Sequence, residues 1–576
     1  MGWRRFGNKK ISVSALIGSA LAVALVVSGC GGGTSASNNP LHNSNQLAHK
    51  DEDINPRDPA TLVDGNFVWP LDRWEPNWNF NQVDGGDEDE PDVFGAYLPS
   101  FFTIEADTSA VINHDYLTSA TVTSTSPQVI TYNINPKAKW SNGDPLIWSD
   151  IKAQWQALNG SNTAYEVNQT TGYADIASIT QGTSAQQAVV TFKQPFAEWQ
   201  YLFSRDSPLY PPSVNATPDA FNTSLLNGPS TISAGPFVVS SIDKDKATIV
   251  VTRNPGWWGA KPVLSKIVYQ VVPRQNRSDA LANGEVTETS LFADPSLFKA
   301  AHSMPNVVIR ESIAENFNDY CLNGRPGAPL SDLKVRNAVV SGVDGDVFTK
   351  AVIGSIEPNP VPVGNHIYLP GTKYYQDNSQ AAAYNLPKAK SALDADGWTL
   401  APGKQYRTKN GQELDVSFLD TTDDTDPTDV QTDTLMINQL AALGIKATLN
   451  RIPTAQLETA MDKGQWDVTE CGWISSAFPI STMQSTYYLD PNNQGQNFGQ
   501  IGSTEINNLF NQANQTLDPD ARAKLGNEID KDIWGLGQDI VTFQSPGVRL
   551  VNKNLANFGA FGFADIDYTK IGFIKQ

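Results

Sequence analysis

The sequence predicts an α/β protein with two or more lobes, and three observations lead to this fold class. The chain has 576 residues, whereas a single hydrophobic core rarely extends past about 250–300 residues. Hydrophobic residues make up 40% of it and aromatic residues 10%, which is ample for sizeable cores and too much for a disordered chain. From about Thr61 onward, short strand-like runs alternate with stretches of helical periodicity, as in mixed α/β folds.

The predicted elements of the first half are mostly strands. Residues 121–136 hold β-branched side chains on both sides of a turn, which predicts a β-hairpin. A helix is predicted at 149–158, with Ser149 or Asp150 as its N-cap. Three further strands are predicted at 236–240, 247–253 and 265–272.

The second half predicts alternating helices and strands. A helix at 386–395 ends before Gly397, and a second helix at 428–443 ends at Gly444, as expected for glycine after a helix C-terminus. Strands are predicted at 415–419 and 445–451. No convincing internal repeat is found, and no second long apolar segment follows the N-terminal one.

The N-terminus is predicted to be an export signal. Four basic residues, Arg4, Arg5, Lys9 and Lys10, precede a run from 11 to 27 without charges, and small residues follow. The sequence VSGC, which ends at Cys30, resembles the lipobox of bacterial lipoproteins, in which the cysteine is lipidated and becomes the first mature residue. Residues 1–29 are therefore predicted to be removed, which changes the net charge from -20 to -24. An uncleaved membrane anchor is the alternative.

The segment after Cys30 is predicted to be a flexible tether at residues 30–60, because it is polar and lacks apolar periodicity. The mature protein would then be a globular body held by lipid on the outer face of the bacterial cell membrane. Two cysteines, Cys321 and Cys471, remain in that body. An exported location permits a disulfide between them, but the sequence leaves the pairing open.

The charge and the motifs exclude several kinds of function. A net charge of -20 argues against binding to a nucleic acid backbone, which requires Lys and Arg. The chain lacks HExxH, the P-loop motif, GxSxG and a dinucleotide-binding GxGxxG. Its five histidines are scattered, so a metal site and a cofactor are not expected. A secreted hydrolase stays a rival, since catalytic triads assemble in space. Solvated charge is the favoured interpretation of two acidic clusters, at 84–92 and 420–429.

Seven segments in order resemble the family 5 (oligopeptide and dipeptide) substrate-binding lipoproteins of ABC importers. WSNGDPLIWSD, ending at Asp150, is similar to the W/F-x-D/N-G-x-P-x-x-A-x-D signature, with Trp148 where a smaller residue is usual. Six shorter segments also match: SAGPF at 233–237, RNPGWWG at 253–259, NGE at 283–285, DLKVRNA at 332–338, YNLPKA at 384–389, and L-x-x-x-G-W at 393–398. The matches span roughly 61–576, and the N-terminus is closest to actinobacterial members.

The resemblance implies a two-lobed periplasmic-binding-protein-like fold (cluster C) that closes on its ligand like a hinge. Lobe I would comprise 61–310 plus 539–576, with an extra subdomain that includes the hairpin and Trp140. Lobe II would comprise 311–538. Two hinge strands would cross between the lobes near 317–323 and 540–545.

The resemblance also implies a peptide bound in the interlobe cleft by backbone hydrogen bonds, like an added strand. Trp473 is the first expected contact, as a flat apolar wall. In family members that select free N-termini, an acidic residue after a Gly-Trp pair binds the peptide amine. Ser476 stands at that position here, so another carboxylate would replace it, with Asp72 and Glu470 as candidates, or the ligand lacks a free amine.

Further candidate ligand contacts follow from the same resemblance: Trp69, Asp72, Trp74, Asn323, Asn497 and His366. The predicted function is capture of extracellular peptides for delivery to an ABC permease with its ATPase subunits, by a monomeric protein that performs no chemistry. Within the binding class, the alternative is another cargo, such as a haem, metal chelate, glycopeptide or sugar. A hydrolase and an adhesion or sensor lipoprotein are rivals from other classes.

Overall fold

The computed structural model describes residues 51–86, 89–291, 294–357, 360, 362–422, 427–453, 456–490 and 495–575. The predicted signal at 1–29, Cys30 and the tether up to residue 50 lie outside the described residues, as do parts of both acidic clusters. Within the described ranges, no helix has both the length and the apolar character that crossing a bilayer requires.

The strands form several sheets and are numbered in chain order. They are β1 (Leu62–Val63), β2 (Phe67–Leu71), β3 (Phe102–Ile104), β4 (Ala110–Ile112), β5 (Leu117–Thr125), β6 (Gln128–Ile134), β7 (Ile176–Gln181), β8 (Gln187–Phe192), β9 (Phe237–Asp243), β10 (Thr248–Arg253), β11 (Lys266–Val271), β12 (Glu288–Ser290), β13 (Val307–Ser312), β14 (Asn316–Leu322), β15 (Thr408–Lys409), β16 (Gln412–Glu413), β17 (Asp415–Thr421), β18 (Lys446–Ile452), β19 (Val468–Ile474), β20 (Asp539–Gln544), β21 (Gly547–Asn552), β22 (Leu555–Ala556) and β23 (Gly572–Ile574).

The α-helices pack around these sheets. They are α1 (Glu90–Phe94), α2 (Trp148–Leu158), α3 (Pro212–Asn215), α4 (Pro218–Thr223), α5 (Arg274–Asn283), α6 (Pro295–Ala301), α7 (Leu333–Gly342), α8 (Gly345–Val352), α9 (Leu386–Ala395), α10 (Pro427–Leu443), α11 (Leu457–Asp462), α12 (Pro479–Tyr487), α13 (Thr504–Gln515) and α14 (Pro519–Leu536). Short 3₁₀ turns occur at Pro59–Thr61, Trp199–Tyr201 and Ser379–Ala382.

Lobe I contains a four-stranded sheet and an inserted subdomain. The sheet has the order β2-β11-β10-β9, and β2 pairs with β11 in parallel although about 200 residues separate them. The inserted subdomain contains the antiparallel sheet β5-β6-β8-β7, whose first two strands form the predicted hairpin. Its core is separate from that of the first sheet and buries Tyr132, Trp140 and Ile151.

Lobe II contains a five-stranded mixed sheet in the order β18-β17-β19-β14-β20. Side chains alternate between its two faces, and each face has its own core. Phe317, Cys321 and Trp473 pack on one face, whereas Tyr320 and Phe418 pack on the other. Helices cover both faces: α13 and α14 contribute to the first core, and α7 and α10 contribute to the second.

The chain passes between the lobes twice. The first passage lies at 313–315, between β13 in a lobe I sheet and β14 in the lobe II sheet, and the second lies at 545–546, between β20 and β21. The boundaries predicted at 310/311 and 538/539 differ from this. The larger difference concerns β20, which we assigned to lobe I but which pairs with β14 in lobe II.

The predicted tether through residue 60 is too long. Asp53 pairs with Ala560 through two backbone hydrogen bonds of 2.7 and 3.1 Å. The buried guanidinium of Arg310 donates to the carbonyl oxygens of Ile54 at 3.2 Å and Leu555 at 2.6 Å. Backbone pairing therefore attaches this polar segment to the C-terminal part of lobe I, which hydropathy alone does not reveal.

Most predicted elements agree with the structure to within a few residues, including the helix at 386–395. The cap of α2 differs from the prediction. Ile147 is the N-cap, and the Asp150 carboxylate accepts a hydrogen bond from its backbone N–H at 3.1 Å. The same carboxylate oxygen accepts the Trp140 indole N–H at 3.0 Å. A hydrogen bond thus connects Trp140, the first residue of the WSNGDPLIWSD motif, with Asp150, its last residue, so the motif has a structural role.

Candidate functional site

Charged side chains from both lobes meet beside the first passage between the lobes. Arg205 and Asp206 follow the 3₁₀ turn Trp199–Tyr201 of the inserted subdomain, and Glu315 lies in the passage itself. Asp565 comes from the C-terminal part of lobe I, and Ser476 follows β19 of lobe II. All five are half-buried where the two lobes meet, and this junction is called the interlobe cleft below.

Arg205 is the central cation of this cleft. Its guanidinium lies 3.8 Å from the Asp565 carboxylate, and the two side chains are 25% and 13% exposed. It also interacts electrostatically with Glu315 and Asp92. Asp565 is held in place by the Ile104 backbone N–H, which donates to its Oδ2 at 2.9 Å. This group joins four segments of the chain that are far apart in sequence.

Asp206 interacts with the Ser476 side chain across the cleft, and this interaction partly offsets the effect of burial on the pKa of Asp206. The Ser476 hydroxyl also lies 2.7 Å from that of Thr482 and accepts the Phe478 backbone N–H at 3.0 Å. A carboxylate of the opposite lobe therefore lies next to Ser476.

The carboxyl groups around Arg205 hold their protons more tightly than usual. Burial raises the pKa of Glu315 to about 7, although Arg205 opposes the shift. Burial likewise raises the pKa of Asp565 to about 6 and raises that of Asp206. Three carboxyl groups share one guanidinium here, so the cleft carries excess negative charge once they ionise and favours a cationic ligand group.

A second group of charged side chains surrounds Arg549 on the lobe I side of the cleft. Arg549 bonds to Glu288 at 3.1 Å and to Asp92 at 3.4 Å. Its guanidinium also lies 5.3 Å from the ring centre of Trp69, within the range of a cation–π contact. Trp69 is 2% exposed and packs against Phe558 and Tyr269. The structure thus places Trp69 in the core behind the cleft, with Arg549 between the ring and the charged groups.

Asp72 does not offer a free carboxylate to a ligand amine. It forms ion pairs with both Arg274 and Arg277. Burial favours the neutral acid, but these two cations outweigh it and hold the pKa of Asp72 below its ordinary value. Both oxygens of the Asp72 carboxylate are thus already engaged by cations of the protein itself.

Trp74 is half-buried beside Trp78, with ring centres 5.4 Å apart. The buried indole N–H of Trp74 has no hydrogen-bond partner among the described residues. Because this N–H is buried, it can donate to a ligand carbonyl only if the surrounding side chains move.

Trp473 lies in the core of lobe II instead of forming an open cleft wall. It is 3% exposed, and its indole N–H donates to the Asp319 carboxylate at 2.9 Å. Cys321 and Cys471, whose pairing the sequence left open, form a disulfide beside it with a Cα–Cα distance of 5.8 Å. The two residues join neighbouring strands β14 and β19.

His366 is fully buried within lobe II and away from the cleft. Its Nδ1 lies 2.6 Å from Asp530 and its Nε2 lies 3.0 Å from Asp539. Burial opposes the charged form, but these two carboxylates raise the pKa of His366 to about 10. The side chain is therefore an imidazolium with both N–H groups bonded, and it has no donor left for a ligand.

Asn323 and Asn497 also have structural roles. Asn323 follows the end of β14 that is remote from the passage between the lobes, and its amide donates to the Trp466 carbonyl at 2.6 Å. Asn497 binds the backbone of Ile501 through both its oxygen and its nitrogen, at 3.1 and 2.7 Å. Both are almost completely buried, so neither reaches the cleft.

The sequence-based prediction missed the charged residues of the cleft, namely Arg205, Asp206, Glu315, Asp565 and Arg549. None of them belongs to a motif, and their neighbours in space come from other segments. One sequence feature could have pointed to part of this site: the segment WQYLFSRD in the inserted subdomain is rich in aromatic residues and ends in an Arg-Asp pair.

Comparisons with known proteins agree with this architecture. The description "Bacterial extracellular solute-binding proteins, family 5 Middle" applies to residues 112–495. The oligopeptide-binding protein OppA of Mycobacterium tuberculosis is 38% identical over 561 residues, which cover 96% of this chain and 93% of the relative.

Two solved structures share the fold. The periplasmic EDTA-binding protein EppA matches with a TM-score of 0.81 and 23% identity, covering 91% of this chain and 98% of its own. The oligopeptide-binding protein AppA from Bacillus subtilis, solved with a nonapeptide, matches with a TM-score of 0.76 and 16% identity, covering 89% and 100%. At these identities the likeness establishes the fold alone.

Two α/β lobes that are joined by two passages and enclose a charged cleft define a two-lobed binding protein. The fold class predicted from the sequence is thus confirmed. The chain belongs to the family 5 bacterial extracellular solute-binding proteins, as its seven motifs predicted.

Proposed function

We propose that the protein captures extracellular peptides in the interlobe cleft and delivers them to an ABC permease. The observation that carries the proposal is the 38% identity to an oligopeptide-binding protein over nearly the whole of both chains. The role is binding and not catalysis: ligand binding closes the lobes, and ATP hydrolysis belongs to the partner. A monomer suffices, since one chain supplies both walls of the cleft.

The proposed ligand is an extended peptide whose backbone pairs with the cleft walls. Its α-amino group would bind between Asp206, Glu315 and Asp565, with the Ser476 hydroxyl as a further acceptor. A lobe I carboxylate thus takes the role that the family gives to an acid at the position of Ser476. Trp69 supports this region from the core of lobe I, with Arg549 packed against its ring.

The proposed location is the extracytoplasmic face of the bacterial cell membrane. Membership of a family of extracellular solute-binding proteins supports an exported protein. The lipid anchor on Cys30 rests on the VSGC sequence after an uncharged run.

Native mass spectrometry of the protein as purified tests the cargo. We expect a heterogeneous set of bound peptides that is released on denaturation. A single non-peptide species, such as a haem, a metal chelate, a glycopeptide or a sugar, would overturn the proposal. Release of cleavage products from added peptides would instead indicate a hydrolase.

Asp206→Asn tests the amine site. A hydrogen bond to a charged group contributes about 1.5–3 kcal/mol, so calorimetry should show roughly 10- to 150-fold weaker binding of a free-amine peptide. The N-acetylated form of the same peptide should lose little affinity. Asp219→Asn, at an exposed position of the same lobe, is the matched control.

A further inference from the structure

A glutamate of lobe I caps a helix of lobe II. Glu198, at the start of the 3₁₀ turn Trp199–Tyr201, is 4% exposed. Its carboxylate accepts the backbone N–H of Ser481 at 2.8 Å and that of Ile480 at 3.4 Å. Both amides belong to the first turn of α12, whose own N-cap residue Phe478 provides no side-chain cap. The cap of this helix therefore comes from the opposite lobe.

The position suits a carboxylate electrostatically. The N-terminal end of a helix carries partial positive charge and unpaired N–H groups. Arg522 of α14, also in lobe II, lies 3.8 Å from the Glu198 carboxylate. Two independent features of lobe II thus bind one side chain of lobe I.

Apolar and backbone contacts surround this carboxylate. The ring of Phe478 enters the core of the inserted subdomain, where it packs edge-on against Tyr201 at a centroid distance of 6.0 Å. Phe478 is 4% exposed. The backbone N–H of Ala197 donates to the Asn514 carbonyl, at the end of α13, at 2.6 Å. Separation of the lobes would break all of these contacts together.

We propose that Glu198 is a closure latch, a side chain that stabilises the closed arrangement of the lobes in the absence of ligand. Its bonds are made to lobe II and not to the groups around Arg205. A latch of this kind shifts the equilibrium between open and closed forms, so it changes the apparent affinity for every ligand by the same factor. The inference concerns closure and holds whatever the cargo is.

Glu198→Ala in the full chain tests the latch in two ways. In the ligand-free protein, hydrogen exchange of the segment 478–487 should accelerate, because the α12 amides lose their cap. Dissociation constants of three synthetic peptides, with neutral, basic and acidic side chains, should all rise by one common factor of roughly 2- to 30-fold. The control is Glu285→Ala, at an exposed loop position of lobe I, and both quantities should stay unchanged in it.

Glu198→Gln is the second variant, because it keeps the shape of the side chain and one acceptor oxygen. It should show the same changes at smaller size. Unchanged hydrogen exchange at 478–487 in both variants would overturn the proposal. Changes in dissociation constant that differ among the three peptides would also overturn it, because they would indicate that Glu198 contacts the ligand directly. If the wild-type protein binds none of the peptides, the proposed cargo fails while the exchange measurement still decides on the latch.

Discussion

The imidazole Nε2 of His366 lies 3.0 Å from the Oδ1 of Asp539, the first residue of β20. Asp530 of α14 binds the other ring nitrogen. His366 thereby links the strand that leads to the second passage between the lobes with a helix that covers the sheet. Asp319 on the neighbouring strand β14 interacts electrostatically with Asp539, and burial together with this second carboxylate raises the pKa of Asp319 well above its ordinary value. A buried polar network therefore fixes the inner strands of lobe II.

Replacing His366 should destabilise the protein most at pH 6.5 and below, and less as the pH rises. In His366→Asn two buried carboxylates lose their cation, which should lower the free energy of unfolding by about 3–5 kcal/mol. The folded pKa of about 10 exceeds the ordinary value of 6.5, so the stabilisation is complete below pH 6.5 and lost as the pH rises toward 10. Urea unfolding of both proteins between pH 6.5 and 9.5 measures the difference.

Two outcomes separate the electrostatic role of His366 from simple packing. The difference between wild type and variant should shrink as the pH rises, since groups common to both proteins cancel. A difference that stays constant across the range would show that the imidazole is neutral in the folded protein. His302→Asn, at an exposed position after α6, serves as the control.

Trp473→Phe should affect stability and not peptide affinity. The substitution keeps an aromatic ring in the core but removes the donor to Asp319, which leaves a buried carboxyl group short of one partner. Loss of such a bond costs about 1–3 kcal/mol. Thermal unfolding should shift to lower temperature, while the dissociation constant for a peptide should change less than about twofold. A large loss of affinity at unchanged stability would restore the predicted role of Trp473 as a ligand wall.

The disulfide should make a substantial contribution to stability. Cys321 and Cys471 are separated by 150 residues, and closing a loop of this size restricts the unfolded chain by about 2–5 kcal/mol. The double variant Cys321→Ala/Cys471→Ala should therefore unfold at lower urea concentration, with a larger m value because its unfolded chain is more expanded. A thiol titration of the unfolded, non-reduced wild type should find no free thiol in the mature body. Two reactive thiols would contradict the disulfide.

The sequence predicted most helices and strands because their caps, end signals and periodicity depend on residues that are close together in the chain. The helix α9 begins after Asn385, whose side chain caps it, and ends just before Gly397 with its φ of 89°. The hairpin β5–β6 and the strands β17 and β18 carry the expected periodicity. Boundaries between the lobes were less predictable, because the assignment of β20 depends on pairing with β14, more than 200 residues away.

The candidate site was predicted less well for a physical reason. Trp473, His366, Asn323 and Asn497 belong to the residue types that contact peptides, but each finds its partners inside the protein. Conversely, Asp206 and Glu315 carry no pattern in the sequence, and their role depends on the meeting of three chain segments. The residue type shows which hydrogen bonds a side chain can form. Only the tertiary contacts show whether those bonds are already formed within the protein.

The affinity for a free-amine peptide should increase as the pH rises from 5 to 7. In the empty cleft, burial raises the pKa of Glu315 to about 7 and that of Asp565 to about 6, so both carry protons at pH 5. The α-amine of the peptide stays charged below about pH 7.7, and it binds the ionised form of these carboxylates. Binding therefore releases protons from Glu315 and Asp565, so the affinity increases as the pH rises. Calorimetry in two buffers of different ionisation enthalpy measures both the affinity and the proton release. Glu315→Gln should flatten the pH profile, and an N-acetylated peptide should show a flat profile with the wild type. Equal profiles for the free and the acetylated peptide would place the amine outside this group of carboxylates.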